Sequence, residues 1–254
     1  MPVYKRFAIV YAQGDYPSYS QQMAEYLPNI LEHFHIPARG TLLDVACGEG
    51  SFAVQMARKG WKVTGIDFSS EMLEIARQHA EEAGLKIKFT RQDMRRIKTA
   101  GPFDLATCWF DALNYVLEAD ELTRVFSGIN NALKPGGWFA FDMNTVYGLA
   151  VGWQRQNCYI PQDKENLVEI QRPSYDFERQ IATMHITAFI REQGGPWERM
   201  DEDHLERAFS LDVIQNCLKK AGFDVKGCFG SIRELTPPRT DSGRVWYITQ
   251  KHMG

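Results

Sequence analysis

Hydrophobic and polar positions follow two different periods along residues 41–143. Apolar positions three or four residues apart recur in residues 51–59, 70–83 and 120–133, which is the spacing of one helix face. Short apolar runs of strand length lie around them, at residues 41–46, 62–66, 86–90, 103–108 and 138–143. Strands that alternate with helices predict an α/β fold with a doubly wound, mostly parallel sheet that helices cover on both faces.

The pattern changes after residue 145. Residues 166–176, 181–192 and 197–209 are extended in character, with β-branched and aromatic residues between charges, and a Gly-Gly-Pro turn at 193–196 separates two of them. Helical spacing returns at 210–221, and strands follow at 223–232 and 244–250.

We therefore predict an α/β domain formed by residues 1–146 and 210–254, and an antiparallel β insertion formed by residues 147–209. The insertion leaves the sheet at the edge where ligands bind in such folds, so we interpret it as a lid over that edge. The alternative is a dimerisation arm, which would make the protein a homodimer, or a simple packing cover.

The amino-acid composition argues against nucleic acids, membranes and metal ions as partners. The chain has 254 residues, 44% of them hydrophobic, and a net charge of -3, so we expect a packed domain and no nucleic-acid partner. No apolar stretch has the length of a membrane span, so we expect no membrane partner. The five cysteines form no Cys-x-x-Cys pair, which predicts neither a disulfide framework nor a metal site and favours a reducing, cytoplasmic location.

A glycine-rich loop follows the first strand. Residues 44–50 read Asp-Val-Ala-Cys-Gly-Glu-Gly, and Gly48 and Gly50 let the backbone turn sharply and approach a ligand closely. The helix that begins at residue 51 adds free N–H groups, which bind anions. Residues 48–53 also match the Gly-x-Gly-x-x-Ala dinucleotide pattern, so the loop alone does not choose between cofactors.

Acidic residues follow the next two strands. Asp67 lies seventeen residues after Gly50 and can accept hydrogen bonds from ribose hydroxyls, or it is a helix N-terminal acid. Phe68 beside it can stack on adenine, and Met72 faces either adenine or the core. Asp93 can accept the adenine amine, with Met94 N–H reaching a ring nitrogen, or it is a solvated turn acid.

These motifs together resemble the class I S-adenosylmethionine-dependent methyltransferase family over residues 40–145. The matching segments are Leu-Asp-Val-Ala-Cys-Gly-Glu-Gly (43–50), Gly-Ile-Asp-Phe-Ser (65–69), Gln-Asp-Met (92–94), Phe-Asp-Leu (103–105) and Leu-Lys-Pro-Gly-Gly (133–137). The resemblance implies a seven-stranded sheet with an antiparallel last strand, and S-adenosylmethionine as the cofactor. The cofactor-binding residues that it implies are Asp44, Ala46, Gly48, Asp67, Asp93, Met94, Cys108, Trp109 and Phe110. We add four residues of the same loop and of the segment after the second strand to the predicted cofactor site: Cys47, Gly50, Phe68 and Met72.

The N-terminus and residues 109–115 resemble a subgroup that methylates small molecules, including sugar N,N-dimethyltransferases and glycine/sarcosine-type N-methyltransferases. That resemblance places Tyr11 near the sulfonium and Tyr19 near the carboxylate of the cofactor, although Ala12 stands where the subgroup often has Asp. The alternative is that both tyrosines only pack helices. Three residues of the second segment are expected to orient the acceptor: Asp111, Asn114 and Tyr115. Alternatively, Asp111 and Asn114 only cap the next turn.

For catalysis we consider an aromatic contact to the sulfonium and a base. Tyr11 can supply the first by a cation–π contact of about 0.5–2 kcal/mol. His185 is the candidate base, and His204 is a second; each is alternatively a structural histidine. The sequence thus predicts a methyltransferase that acts on a nitrogen of a small-molecule acceptor. The alternatives are an NAD-dependent oxidoreductase and a non-catalytic S-adenosylmethionine-binding module.

Overall fold

The computed structural model describes residue 4 and residues 6–99, 101–191 and 194–253. The predicted strand end at residue 192 and the predicted turn start at residue 193 lie outside these residues. The strands in chain order are β1 (Thr41–Val45), β2 (Lys62–Asp67), β3 (Lys88–Arg91), β4 (Phe103–Cys108), β5 (Leu133–Asn144), β6 (Tyr159–Lys164), β7 (Leu167–Asp176), β8 (Ile181–Ile190), β9 (Glu198–Arg207), β10 (Phe223–Phe229) and β11 (Arg244–Lys251). The helices are α1 (Phe7–Gln13), α2 (Pro17–His33), α3 (Ser51–Arg58), α4 (Ser70–Glu82), α5 (Ala119–Ala132) and α6 (Leu211–Lys220).

The larger sheet has seven strands in the order β10-β11-β5-β4-β1-β2-β3. β1 pairs in parallel with both β2 and β4, whereas β11 runs antiparallel between β5 and β10. The predicted doubly wound, mostly parallel sheet with an antiparallel last strand is therefore confirmed. Strand order reverses at β1 and β4, and ligands of such sheets bind in the crevice beyond the carboxyl ends at this point.

Apolar helix faces cover both sides of the larger sheet. On one side, α5 buries Val125 and Phe126 against Phe139 and Phe141 of β5. On the other side, a second cluster joins α2 and α3 to the strands, and Phe52 lies at its centre. Burying each large apolar side chain contributes about 1.5–3 kcal/mol, so these two layers hold the strand ends in fixed positions.

The second sheet is antiparallel and has the order β6-β7-β8-β9. It confirms the predicted antiparallel insertion, but two details differ from the prediction. Helical turns at Gly148–Gly152 and Trp153–Arg155 precede its first strand, and β6 was not predicted. β6 is an edge strand that contains Pro161, and such strands carry too little apolar alternation to be recognised from sequence.

Helix α1 connects the second sheet to the larger domain. Its buried Phe7 and Val10 share a cluster with Met184 and Ile186 of β8 and with Met72 of α4. The chain turns after α1, and α2 then begins at a proline, whose fixed φ suits the first helical turn. Among the described helices, none is long and apolar enough to cross a membrane.

Candidate functional site

A cavity of about 800 Å³ lies beyond the carboxyl ends of β1 to β4 and reaches the edge strand β9 of the second sheet. This volume falls within the range of small-molecule sites, roughly 300–1,000 Å³. The predicted site residues that line it are Tyr11, Ala46, Gly48, Asp67, Phe68, Met72, Asp93, Met94, Trp109, Phe110 and Tyr115. The structure thus brings residues that follow four strands, together with Tyr11 of α1, into the lining of the same cavity.

The glycine-rich loop turns sharply under this cavity. Ala46 and Gly48 both have a φ of +54°, and Gly50 has a φ of +84°. A Cβ on Gly48 would meet no atom within 4 Å, so the glycine leaves open space at the cavity. A Cβ on Gly50 would lie 2.9 Å from the Cβ of Ala76, so this glycine is required for close packing of α3 on α4.

Asp44 lies beneath the loop and is 2% exposed. Its Oδ1 accepts a hydrogen bond of 3.0 Å from Thr107, and its Oδ2 has no partner among the described residues. Burial raises the pKa of this carboxyl to about 8. A buried oxygen without a partner is costly, so this atom suits a ligand that brings a donor, such as an ammonium group.

Asp67 ends β2 and joins the loop to α4. Its carboxylate accepts hydrogen bonds of 2.9 Å from Gly48 N and 2.8 Å from Ser69 N. Burial raises the pKa of this carboxyl, and the backbone donors oppose the effect. A carboxylate has lone pairs for about four donors, so two hydroxyls of a ligand can still bind to it.

An exposed aromatic ring follows β2, and an ion pair follows β3. Phe68 is 46% exposed, unusually open for a large apolar ring, and the guanidinium of Arg91 lies 5.6 Å from its centre. Asp93 forms an ion pair of 2.8 Å with Arg95, which holds the pKa of Asp93 below its usual range. Both arginines line the cavity, and the sequence analysis did not predict them.

Predicted residues that do not line the cavity lie behind it or on the second sheet. They are Tyr19, Asp44, Cys47, Gly50, Cys108, Asp111, Asn114, His185 and His204. Tyr19 stacks on Phe110 at 4.6 Å, with the guanidinium of Arg244 5.0 Å from its ring. Cys47 and Cys108 are buried thiols at the ends of the loop and of β4, and burial raises the pKa of both.

Asp111 and Asn114 belong to a buried network that fastens β9 to the larger sheet. Arg244 lies 3.1 Å from Asp111 and also pairs with Asp142. Asn144 donates hydrogen bonds to Asp111 at 3.0 Å and to Glu206 of β9 at 2.9 Å. The amide of Asn114 donates to the backbone oxygens of residues 144 and 207.

His185 points away from the cluster that Met184 forms with α1. Its side chain is 42% exposed, and its Nδ1 lies 2.6 Å from Asp203 Oδ1. Asp203 and Leu205 of β9 do line the cavity, so His185 reaches the site only through Asp203.

The structure adds a chain of polar contacts that the sequence did not indicate. Tyr4 lines the cavity, and its hydroxyl lies 2.9 Å from that of Tyr115. The hydroxyl of Tyr115 lies 2.7 Å from Nδ1 of His204, which is 3% exposed. These residues are separated by about one to two hundred positions in the chain, so no local motif could have joined them.

Comparisons with known proteins agree with this geometry. A family model described as a methyltransferase domain matches residues 42–137. A relative from Geobacillus sp. (strain WCH70), named "Putative methyltransferase", is 33% identical over 211 residues, covering 83% of this chain and 84% of its own.

Solved structures show the same fold. An S-adenosylmethionine-dependent methyltransferase from Clostridium acetobutylicum ATCC 824 superposes with a TM-score of 0.83 at 26% identity, covering 97% of this chain and 98% of its own. The sugar N-methyltransferase KedS8 from Streptoalloteichus sp ATCC 53650 superposes with a TM-score of 0.73 at 17% identity, covering 90% and 86%. The ordered motifs, the sheet topology and these matches lead to one assignment. The chain belongs to the class I S-adenosylmethionine-dependent methyltransferases.

Proposed function

We propose that the cavity is where this enzyme transfers a methyl group from S-adenosylmethionine to a nitrogen of a small-molecule acceptor. In this proposal residues 1–146 and 210–254 bind the cofactor, and residues 147–209 form a lid that supplies one wall of the acceptor site. The observation that carries the proposal is the lining of this cavity, which includes the aromatic residues Tyr4, Tyr11 and Tyr115 and, on β9, the acidic residue Asp203.

The residues after β1, β2 and β3 have the chemistry that the donor needs. Asp44 Oδ2 suits the ammonium of the methionine part, Asp67 suits the ribose hydroxyls, and Phe68 offers a ring to adenine. When bound, S-adenosylmethionine supplies a methyl group that its positive sulfur already activates. The chain therefore has to align the acceptor with that methyl group and exclude water, rather than activate the donor.

The aromatic and acidic residues of the lining favour an amine acceptor. Tyr4, Tyr11 and Tyr115 line the cavity together with Asp203, which also pairs with His185. Aromatic faces attract an ammonium group by about 0.5–2 kcal/mol each, and a carboxylate adds to this attraction. KedS8, which shares the fold, is named as a sugar N-methyltransferase, so a sugar amine is one acceptor that merits testing.

A matched set of acceptors tests the transferred atom. The full chain is incubated with S-adenosylmethionine that carries a deuterated methyl group, and with D-glucosamine, D-glucose, D-glucuronate and a library of small metabolites. Tandem mass spectrometry then locates the label. We expect label on amine nitrogen; label confined to hydroxyl or carboxylate oxygens would contradict the proposal.

Replacing the carboxylate of the acceptor wall tests its role. We expect Asp203→Asn to raise the KM for the methylated amine about threefold to tenfold, because a partly exposed ion pair contributes about 1 kcal/mol. Asp201→Asn is the control, since Asp201 lies on the same strand but does not line the cavity. The assignment of Asp203 fails if both variants show the same KM as the unaltered enzyme.

A further inference from the structure

A continuous path of polar atoms leads from the cavity to a buried histidine. It runs from the hydroxyl of Tyr4 to that of Tyr115 over 2.9 Å, and from there to His204 Nδ1 over 2.7 Å. Both tyrosines line the cavity, whereas His204 lies behind them on β9. The path therefore has one end at the acceptor wall and the other inside the protein.

Aromatic packing holds the imidazole of His204 in place. The rings of Tyr4 and Phe7 approach it edge to face, with centroids at 5.0 and 5.1 Å. Its Nε2 has no hydrogen-bond partner among the described residues but lies 3.4 Å from Glu202 Oε1. The buried carboxyl of Glu169 on β7 also interacts electrostatically with His204. Thus carboxyl groups from two strands face the ring.

The relay requires one arrangement of these hydrogen bonds, in which the Tyr4 hydroxyl donates to that of Tyr115 and the Tyr115 hydroxyl donates to Nδ1 of His204. Burial raises the pKa of Tyr4 and of Tyr115 well above the usual tyrosine value, so both are neutral hydroxyls. When the Tyr115 hydroxyl donates to Nδ1, the neutral imidazole carries its hydrogen on Nε2, on the side of Glu202. Nδ1 is then the hydrogen-bond acceptor at the end of the path.

We propose that Tyr4, Tyr115 and His204 form a proton relay for the acceptor, an inference that rests on the proposed function. Forming the nitrogen–methyl bond needs the lone pair of the acceptor nitrogen and leaves the electron pair of the broken carbon–sulfur bond on sulfur. An ammonium acceptor has no lone pair, so it must first lose one proton. That proton passes to the Tyr4 oxygen, the Tyr4 proton passes to Tyr115, and the Tyr115 proton passes to His204 Nδ1.

The resulting imidazolium lies beside Glu202 and near Glu169, whose carboxyl groups stabilise its charge. In this scheme Tyr4 is the catalytic residue because it contacts the acceptor. Tyr115 and His204 act through it.

Nitrogen NMR tests the direction of the hydrogen bonds in the path, without an acceptor, by showing which nitrogen of His204 carries hydrogen. The full chain is labelled with ¹⁵N-histidine and saturated with S-adenosylhomocysteine, and the His204 signals are identified by their loss in His204→Asn. We expect a single tautomer with hydrogen on Nε2, which becomes a mixture in Tyr115→Phe and stays unchanged in Tyr175→Phe, a control on the same sheet. Hydrogen on Nδ1, or no response to Tyr115→Phe, would overturn the relay.

Rates of methyl transfer to D-glucosamine test whether the relay contributes to catalysis. His204→Asn keeps an acceptor for the Tyr115 hydroxyl but cannot take up a proton. We expect kcat to fall about 100-fold near neutral pH and to recover as the pH rises, because general-base contributions are about 10²–10⁴-fold and free base in solution can replace them. The Kd for S-adenosylhomocysteine should stay unchanged.

A loss of rate that is equal at every pH, or a weakened Kd, would show that His204 is only structural and would overturn the relay. The NMR result decides the relay even if D-glucosamine gives no product. Failure of the amine proposal is therefore seen separately from failure of the relay.

Discussion

Asp44 combines burial with an unfilled hydrogen-bonding position. One oxygen is bonded to Thr107, and the other has no partner among the described residues. Because burial raises its pKa to about 8, the carboxyl is largely protonated at neutral pH. A ligand that brings an ammonium group to this residue therefore has to displace a proton.

We expect the affinity for S-adenosylhomocysteine to rise as the pH rises from neutrality toward about 8. Calorimetry in two buffers of different ionisation enthalpy should detect the released proton. In Asp44→Asn the affinity should be weaker, by about tenfold, because a hydrogen bond to a charged group contributes about 1.5–3 kcal/mol. An affinity that ignores pH would contradict the role given to Asp44.

The same residue links binding to stability. The folded pKa lies above the unfolded one, so the folded state binds more protons, and stability falls as the pH rises from the usual carboxyl range to about 8. We expect Asp44→Asn to raise the free energy of unfolding at neutral pH by more than about 1 kcal/mol, since one pKa unit corresponds to about 1.4 kcal/mol. Its urea midpoint should therefore be higher than that of the unaltered protein. An unchanged or lower urea midpoint would count against this explanation.

Asp67 carries the ribose assignment. We expect Asp67→Ala to weaken S-adenosylhomocysteine binding by at least about tenfold in calorimetry, because it removes charge-assisted hydrogen bonds and frees the loop at Gly48. Asp104→Ala is the control, since Asp104 lies on a strand of the same sheet but pairs with Lys134 outside the cavity. Equal affinities in the unaltered protein and in Asp67→Ala would refute the assignment.

At the scale of elements, β9 connects the second sheet to the cavity. One part of it lines the cavity at Asp203 and Leu205, and its end joins the network of Asp111, Asn144 and Arg244 through Glu206. Burial raises the pKa of Glu206 well above its usual range, and the nearby charge of Asp111 adds to the shift. Burial and the charge of Asp111 therefore both favour the protonated form of Glu206.

We expect Glu206→Gln to remove a pH dependence of stability. Because the folded pKa of Glu206 is raised, its contribution to stability is present at low pH and is lost as the pH rises through the folded pKa. Glutamine has the shape of the protonated side chain and carries no titrating proton. In urea unfolding, the variant should therefore lose less stability than the unaltered protein as the pH rises. Glu198→Gln, an exposed change on the same strand, is the control, and parallel pH curves for all three proteins would contradict the prediction.

The elements differ in how far their sequence predicted them. β1, β2 and α4 carry their own apolar period and turn residues, and they lie within one or two residues of the prediction. β6 does not, because an edge strand with Pro161 needs little apolar alternation. The break between α1 and α2 depends on packing against β8, which the local sequence does not contain.

At the scale of the whole molecule, the two sheets enclose one cavity, and only half of its wall could be predicted. The half that follows β1 to β4 is encoded by motifs at fixed spacing, and family membership decides the cofactor of the glycine-rich loop in favour of S-adenosylmethionine over a dinucleotide. The part formed by Tyr4, Asp203 and Leu205 depends on long-range packing of the second sheet. For that reason the donor residues were predictable, whereas only Tyr11 and Tyr115 of the acceptor wall were predicted.

A crystal structure with S-adenosylhomocysteine and D-glucosamine tests the donor and acceptor sites together. We expect the ammonium group of S-adenosylhomocysteine beside Asp44, its ribose hydroxyls on Asp67, and the sugar amine between Tyr4 and Asp203. Either ligand bound outside the cavity between the two sheets would contradict these assignments.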